Sequence, residues 1–268
     1  MNKICVVAKN KDTYFTKRLI EEVGKRCELF NPWADLEFPV ADIYLSRCTG
    51  VYKSDLDLLF LKTVAKDKLV NNFEVLNLFR SKITQYEWFE KEDLPSLPWL
   101  PIKGSDILTI EKFFRLYPEL VVKPFLGQGG WGVQKLTWPE FNSWKKKNSP
   151  DENYLLQPLI RDGKEFRYFF IKGKTPIILE RRAKSGIAAN FQNQGEGLVS
   201  NLPDQILEKI TKLVNLSTAH YGAIDLFMKD DRMYILELNS VPGIEQLEKI
   251  SGKNIIKEIL ESLTLLNS

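Results

Sequence analysis

Late in the chain, two strand-like runs constrain the fold more than anything else: Ala223-Ile224-Asp225-Leu226-Phe227-Met228 and Met233-Tyr234-Ile235-Leu236-Glu237-Leu238-Asn239, joined by the polar turn Lys229-Asp230-Asp231-Arg232. Alternating apolar and polar residues on either side of a turn predict a β-hairpin. Side chains two apart on a strand leave from one face, so Glu237 and Asn239 are neighbours there. A loop of odd length centred on Asp231 sets Asp225 directly opposite Glu237, whereas an even loop offsets the pair by one residue. Facing carboxylates repel unless something positive lies between them. The alternative, an edge hairpin with both acids in solvent, fits poorly with the apolar neighbours. An oxygen-only set suits magnesium, which takes one or two carboxylates and completes its octahedron with water and phosphate oxygens. Asp225, Glu237 and Asn239 are therefore the candidate metal ligands.

A second feature lies in the middle of the chain. Leu120-Val121-Val122-Lys123-Pro124 reads as a strand, Gly127-Gln128-Gly129-Gly130-Trp131-Gly132 as a loop and Val133-Gln134-Lys135-Leu136 as a second strand. The loop spells GxGxxG, but the dinucleotide fingerprint needs a helix after the turn, and here a strand follows. The loop lacks the Gly-Lys-Ser/Thr ending of a Walker loop, and the chain holds no His-Arg-Asp and no Asp-Phe-Gly, which removes the protein kinases as well. What remains is a hairpin loop whose backbone N–H groups, at Gly127, Gly129, Gly130 and Gly132, can close over phosphates. Lys123 sits inside an apolar strand, where a charge is costly unless it faces an anion or snorkels to water.

The remainder reads as alternating elements. Ile4 to Ala8 is a buried strand, and Thr13 opens a helix that Gly24 stops; strands follow at Cys27 to Phe30 and Asp42 to Ser46, a βαβ-like opening with a parallel sheet. Ser54 begins another helix, and from Asn72 one longer helix runs through Phe73, Leu76, Phe79, Ile83 and Tyr86, carrying Arg80 and Lys82. Further strands are predicted at Tyr154 to Gln157, Arg167 to Ile171 and Pro176 to Arg182, and helices over Pro139 to Lys147, Pro203 to Tyr221 and Asn254 to Leu266. The fold class is mixed, α/β at the start and α+β after it.

Composition excludes several functions. Lysine and arginine number 38 against 35 acids, a net charge of +3 in 268 residues, too small to argue for nucleic acid unless the basic residues cluster. Such a cluster would need Trp131, Trp138, Trp144 and Lys145-Lys146-Lys147 on one surface, a run that more often forms a solvated helix face. Cys5, Cys27 and Cys48 make no CxxC pair, and with the single His220 they form no zinc box. His220 near a helix end reads as structural. No apolar stretch approaches a membrane span and the first apolar run is short, so a cytoplasmic location and no membrane partner are expected. Arg47, just after a strand end, is a candidate contact for a substrate carboxylate or amine, against a surface ion pair.

Taken together, Val121-Val122-Lys123-Pro124, the glycine loop, Leu155-Leu156-Gln157-Pro158-Leu159-Ile160, Lys164-Glu165-Phe166-Arg167, and Asp225 through Leu236-Glu237-Leu238-Asn239-Ser240-Val241-Pro242-Gly243 resemble the ATP-grasp superfamily, most closely its RimK-like carboxylate-amine ligases. The likeness runs from about Arg80 onward. It implies an ATP-grasp fold of three lobes: an N-terminal α/β lobe (1–79), a central lobe with a glycine lid (80–156) and a C-terminal lobe with the metal site (157–268). ATP and Mg2+ are the implied cofactors, with Mn2+ able to replace magnesium. Lys82 and Lys123 match the nucleotide-binding lysines, and Gln157, Pro158, Leu159 and Ile160 match the hinge that reads adenine. Arg167 and Arg181 match basic residues near the phosphates and the acyl intermediate.

One departure bears on substrate. Glutamate-ligating members of the family carry an Arg-x-Asn and a later His-Arg-Gly-Gly stretch between Ala183 and Gly197. Here Asn190 matches, but the arginines and histidine are absent. The implied activity is ATP-dependent ligation of a carboxylate and an amine through an acyl phosphate, adding an amino acid to a small molecule, peptide or protein tail. Small-molecule or peptide substrates are the expected partners, an oligomer is compatible, and the alternative is a non-catalytic ATP-binding module.

Overall fold

In a computed structural model of the protein, the described residues are 2–48, 56–127, 130–148, 153–182 and 196–264. The chain opens with β1 (Ile4–Val7), α1 (Tyr14–Val23), β2 (Cys27–Phe30), β3 (Ile43–Ser46), α2 (Leu56–Leu61) and β4 (Leu69–Val70). The four strands form a parallel sheet in the order β2-β1-β3-β4. β1, β3 and β4 are short and buried, while β2 at the sheet's edge is half-buried apart from Phe30. Thr13 caps α1 by accepting a hydrogen bond from Thr16 N, and Gly24, at φ 58°, ends it in a conformation that costs a glycine little.

The single helix expected from Asn72 is two. Asn72 does cap α3 (Phe73–Arg80), but Ser81 adopts extended backbone (φ −118°, ψ 133°), and α4 (Lys82–Lys91) starts anew. The break is held from outside, because Lys82 N donates to Phe125 O at 2.9 Å across the fold. It places Lys82 in the first turn of a helix rather than in the middle of one.

Next come β5 (Leu100–Pro101), α5 (Ile107–Leu116), β6 (Leu120–Pro124), β7 (Gln134–Leu136), α6 (Trp138–Lys147) and β8 (Tyr154–Pro158). They build an antiparallel sheet ordered β5-β8-β6-β7, with the glycine loop joining β6 to β7 as expected. Trp144 and Phe141 are buried in this unit's core, and Trp138 stacks on Phe141, so the aromatic side of α6 packs inward and leaves its lysines alone at the surface.

The last stretch comprises β9 (Lys164–Ile171), β10 (Ile177–Arg182), β11 (Glu196–Val199), α7 (Asp204–Ser217), β12 (Tyr221–Lys229), β13 (Arg232–Asn239), α8 (Glu245–Ser251) and α9 (Ile255–Thr264). Its sheet is antiparallel, ordered β11-β10-β9-β12-β13. Helix α7 stops four residues short of the expected Tyr221, because Thr218 turns left-handed (φ 57°) and Tyr221 joins β12. His220 lies between them, buried, with Nε2 2.8 Å from Ser262 Oγ; burial, then Lys172, hold its pKa at about 4, which agrees with a structural role. One apolar core runs from β1 and β3 through β9 and β12 to α9, so the last helices seal the first sheet against the last. Among the described residues no helix is long and apolar enough to cross a membrane.

Candidate functional site

The hairpin of β12 and β13 brings Asp225 opposite Glu237, as expected, but by another route. Its turn is the two residues Asp230 and Asp231, both at positive φ (48° and 60°), with Lys229 paired to Arg232. Such a two-residue left-handed turn matches the twist of the flanking strands. An even loop alone would set Leu236 against Asp225. A β-bulge intervenes: Leu226 pairs with Ile235 and Asp225 with Glu237, leaving Leu236 as the extra residue. Asn239 follows on the same face, opposite Ala223.

On its other side β12 pairs with β9, and there Arg167 lies opposite Asp225. Arg167 grips that carboxylate in a two-pronged pair, Nε to Oδ1 and Nη2 to Oδ2, both 2.7 Å. Arg181, one strand further on β10, lies 3.3 Å from Asp225 Oδ2 and 2.9 Å from Glu165 Oε1. Lys82 Nζ, from the first turn of α4, donates to Glu237 Oε1 at 2.9 Å and to Gly127 O at 3.3 Å. Cations thus offset the repulsion that opposed carboxylates would otherwise feel.

Electrostatics follow from these contacts. Burial pushes the Asp225 carboxyl up, but the guanidiniums of Arg167 and Arg181 outweigh it and hold the group below the usual carboxylate range. Burial works against the Arg167 charge, and Asp225 more than restores it. Lys123 on β6 has a different setting. Its Nζ donates to Gln157 Oε1 at 2.8 Å, a neutral acceptor, and burial followed by the like charge of Lys82 brings its pKa down to about 8. With the charge of Lys82 nearby and a neutral amide as its bonded partner, Lys123 marks a part of the site short of negative charge.

That space is a cleft of about 600 Å³. Lys82, Lys123, Arg167, Arg181, Asp225, Glu237 and Asn239 all line it. Pro158, Leu159 and Ile160 line it too, while Gln157 is fully buried next to them in sequence. Gly127 and Gly130 border it, Gly132 holds the positive φ (74°) that closes the hairpin loop, and Trp131 between them is 82% exposed at the rim. Gly129 and Asn190 lie outside the described residues. Arg47 is not among the residues that line the cleft: it stacks 4.0 Å over the Phe15 ring and donates from Nη2 to Pro242 O at 3.0 Å, bracing the turn after β13.

Sequence reasoning passed over three residues. Glu165 fixes Arg181 and lines the cleft; its place two residues before Arg167 on β9 is the period-2 signal that could have found it. Gln85 and Tyr86 on α4 bond to the backbone of β13, and no local pattern announces that. A narrower pocket of about 40 Å³ opens behind the ribbon between Ser46, Cys48, Asp57 and Arg80, and shares Gly127, Glu237 and Asn239 with the main cleft.

The residues fit a magnesium nucleotide. Gln157 Nε2 is buried without a hydrogen-bond partner, an orphan donor beside the cleft. Among the described residues no three His, Cys, Asp or Glu side chains cluster to hold a metal alone. Two carboxylates and one amide oxygen therefore suit an ion that draws its other ligands from phosphate and water.

Comparison with known proteins agrees with this geometry. The family model described as a RimK-like ATP-grasp domain matches residues 107–263, more than half of the chain. A probable alpha-L-glutamate ligase of Shewanella pealeana is 32% identical, covering 97% of this chain and 62% of its own length. The tetrahydromethanopterin:alpha-L-glutamate ligase of Methanocaldococcus jannaschii is 25% identical, covering 91% of this chain and 94% of its own. The chain thus spans less than two thirds of the Shewanella relative. Among solved structures, the ATP-grasp ligase PsnB complexed with minimal precursor, Mg and ADP superposes with a TM-score of 0.72 at 14% identity, over 99% of this chain and 97% of that one, a likeness of fold.

Proposed function

The chain belongs to the RimK-like ATP-grasp family, and from that premise we propose that it is an ATP-dependent carboxylate-amine ligase that forms an amide through an acyl phosphate. The observation that carries this reading is the convergence of Lys82, Lys123, Arg167 and Arg181 on one cleft with Asp225, Glu237 and Asn239.

An oxygen of the substrate carboxylate attacks the γ-phosphorus, the bond to ADP breaks, and an acyl phosphate forms. The amine nitrogen then attacks the acyl carbon, the bond to phosphate breaks, and the amine proton leaves with solvent or phosphate. Lys82, Lys123 and the backbone at Gly127 and Gly130 bind the phosphates. Arg167 and Arg181 neutralise charge on the transferring phosphoryl group and on the tetrahedral oxyanion. Asp225, Glu237 and Asn239 would hold magnesium, or manganese in its place, and that ion would supply positive charge to the phosphate oxygens. Gln157 to Ile160 seat the adenine. The glycine loop, Gly127 to Gly132 with Gly129, excludes water from the acyl phosphate, and Asn190 contacts substrate. No side-chain nucleophile is required. The substrates are a small-molecule or peptide carboxylate and an amino-acid amine, and the lobes divide near residues 79 and 156.

A screen of ADP release against amino acids and cell-extract fractions, read by mass spectrometry for a new amide, tests the proposal. Glu237→Ala is expected to lower amine-dependent ADP release by about 100-fold or more. An unchanged rate in that variant removes the metal reading, and bound nucleotide with no ADP release from any fraction leaves a binding module.

A further inference from the structure

Resting on the reading of Glu237 and Asn239 as metal ligands, we infer that Gln85 is a positioning residue for them: its side-chain amide replaces the strand that β13 lacks and sets the two peptide planes between the ligands. β13 ends its sheet, so among the described residues the outer edge of the strand that carries both ligands meets only an isolated parallel bridge, Ser96 to Ile235, and no ladder at Leu238. Gln85 is 1% exposed and lies against that edge. Its Oε1 accepts from Leu238 N at 2.7 Å, and its Nε2 donates to Leu238 O at 3.0 Å. A neighbouring strand offers one residue this same pair of bonds. Leu238 N belongs to the peptide joining Glu237 to Leu238, and Leu238 O to the peptide joining Leu238 to Asn239. One amide therefore holds both links between the ligands.

Orientation of the amide is not ambiguous. Nε2 also donates to Phe79 O at 2.8 Å, so a flipped side chain would face two carbonyls with its oxygen and an N–H with its nitrogen. The ribbon needs such a hold. Its two-residue turn favours a register with Leu236 opposite Asp225, and the bulge that corrects this leaves an unpaired residue. Tyr86, beside Gln85, donates its hydroxyl to Leu236 O at 2.8 Å, on the bulged residue itself, and Ile235 N donates to Pro95 O at 2.8 Å. Lys82, one turn earlier on the same helix, holds the Glu237 side chain. A plain edge cap would stabilise the sheet; this one acts on the backbone on either side of the residue between the two ligands.

The test measures binding of the ATP analogue AMPPNP by calorimetry, in EDTA and in excess Mg2+, for the wild type, Gln85→Met, Tyr86→Phe and Phe89→Leu. Gln85→Met keeps the length of the side chain and removes both bonds to Leu238. Outer groups that orient metal ligands are worth about 10–100-fold in metal affinity. Gln85→Met is therefore expected to lose at least about tenfold of the affinity that magnesium adds, to leave the affinity in EDTA unchanged, and to speed exchange of the Leu238 amide in the metal-free protein. Tyr86→Phe should lose a smaller part of the same gain. Phe89→Leu, which loosens the helix by packing alone, should lower the melting temperature and keep the gain. A full magnesium gain in Gln85→Met overturns the inference, and if that variant does not fold, a full gain in Tyr86→Phe does so. A wild type that gains nothing from magnesium sinks the ligand assignment itself.

Discussion

The two walls of the cleft hold charge in opposite ways. On the wall built from β9, β10, β12 and β13, Arg167 is locked to Asp225 at 2.7 Å twice, Arg181 bridges Asp225 and Glu165, and Lys82 reaches across to Glu237. On the wall built from β6, β7 and β8, Lys123 bonds to a neutral amide and the remaining groups that face the cleft are mostly backbone and apolar side chains. The first wall is prepaid in structure: its charges are already paired, and a ligand must exchange with them. The second is short of negative charge, and a ligand supplies it. The proposed phosphate chemistry uses both, one side to fix geometry and one to favour binding.

The sharpest way to break this contrast is to delete one cation from each wall with an uncharged side chain of similar length. Arg167→Met leaves Asp225 buried with Arg181 as its remaining guanidinium, and losing one partner of a buried pair costs about 3 kcal/mol. Urea unfolding should register that loss. Lys123→Met removes a buried charge that has no carboxylate bonded to it, so its stability should hold or rise. Both variants should bind AMPPNP more weakly. Equal destabilisation by the two substitutions would erase the distinction between the walls.

A smaller effect comes from pH. The Lys123 ammonium titrates at about 8 in the folded protein, against an ordinary value of 10.5 in the unfolded chain. Between these values the unfolded chain binds more protons, so this group makes stability rise with pH across that window. On the proposed role of Lys123 at the phosphates, nucleotide binding slopes the other way, because that role needs the charged lysine. Affinity for AMPPNP should fall about tenfold from pH 7 to pH 9, the change expected for uptake of one proton. Lys123→Arg, charged throughout, should flatten both slopes; a wild-type affinity independent of pH would show that Lys123 stays charged without a ligand.

How far the sequence could be read differs between the walls for the same physical reason. Lys123 inside Leu120 to Pro124 and the glycine run are local signals, and the structure keeps both on a β-hairpin. Asp225 and Glu237 were also legible as facing residues, yet their register rests on a bulge. The adjacent apolar pair Ile235-Leu236 is the trace it leaves, a break in alternation that a period-2 reading smooths over. Ser81 was invisible as a helix break because apolar spacing continues through it; what ends α3 there is a bond from Lys82 N to Phe125 O, 43 residues away in sequence. Gln85 and Tyr86 were out of reach for a like cause. Their partners are backbone atoms about 150 residues later, and nothing in the Lys82 to Lys91 segment encodes where that backbone will dock.

The smallest expected effect probes the backbone wall itself. Gly132 has φ +74°, and a Cβ there would meet Pro124 Cγ at 3.2 Å and Cδ at 3.4 Å. A side chain in this left-handed region costs about 1–2 kcal/mol, and the ring of Pro124, next to Lys123, can give only by moving its strand. Gly104, in the turn before α5, has a similar φ of +83° with nothing within 4 Å of the added carbon. Gly132→Ala and Gly104→Ala should therefore lose about the same backbone term, near 1 kcal/mol, in urea unfolding. Only the first should also weaken AMPPNP binding, by a few-fold, because its strain falls on the hairpin that borders the phosphate side. If both alanines bind the analogue as the wild type does, the loop's backbone is a connector and the second wall reduces to Lys123 alone.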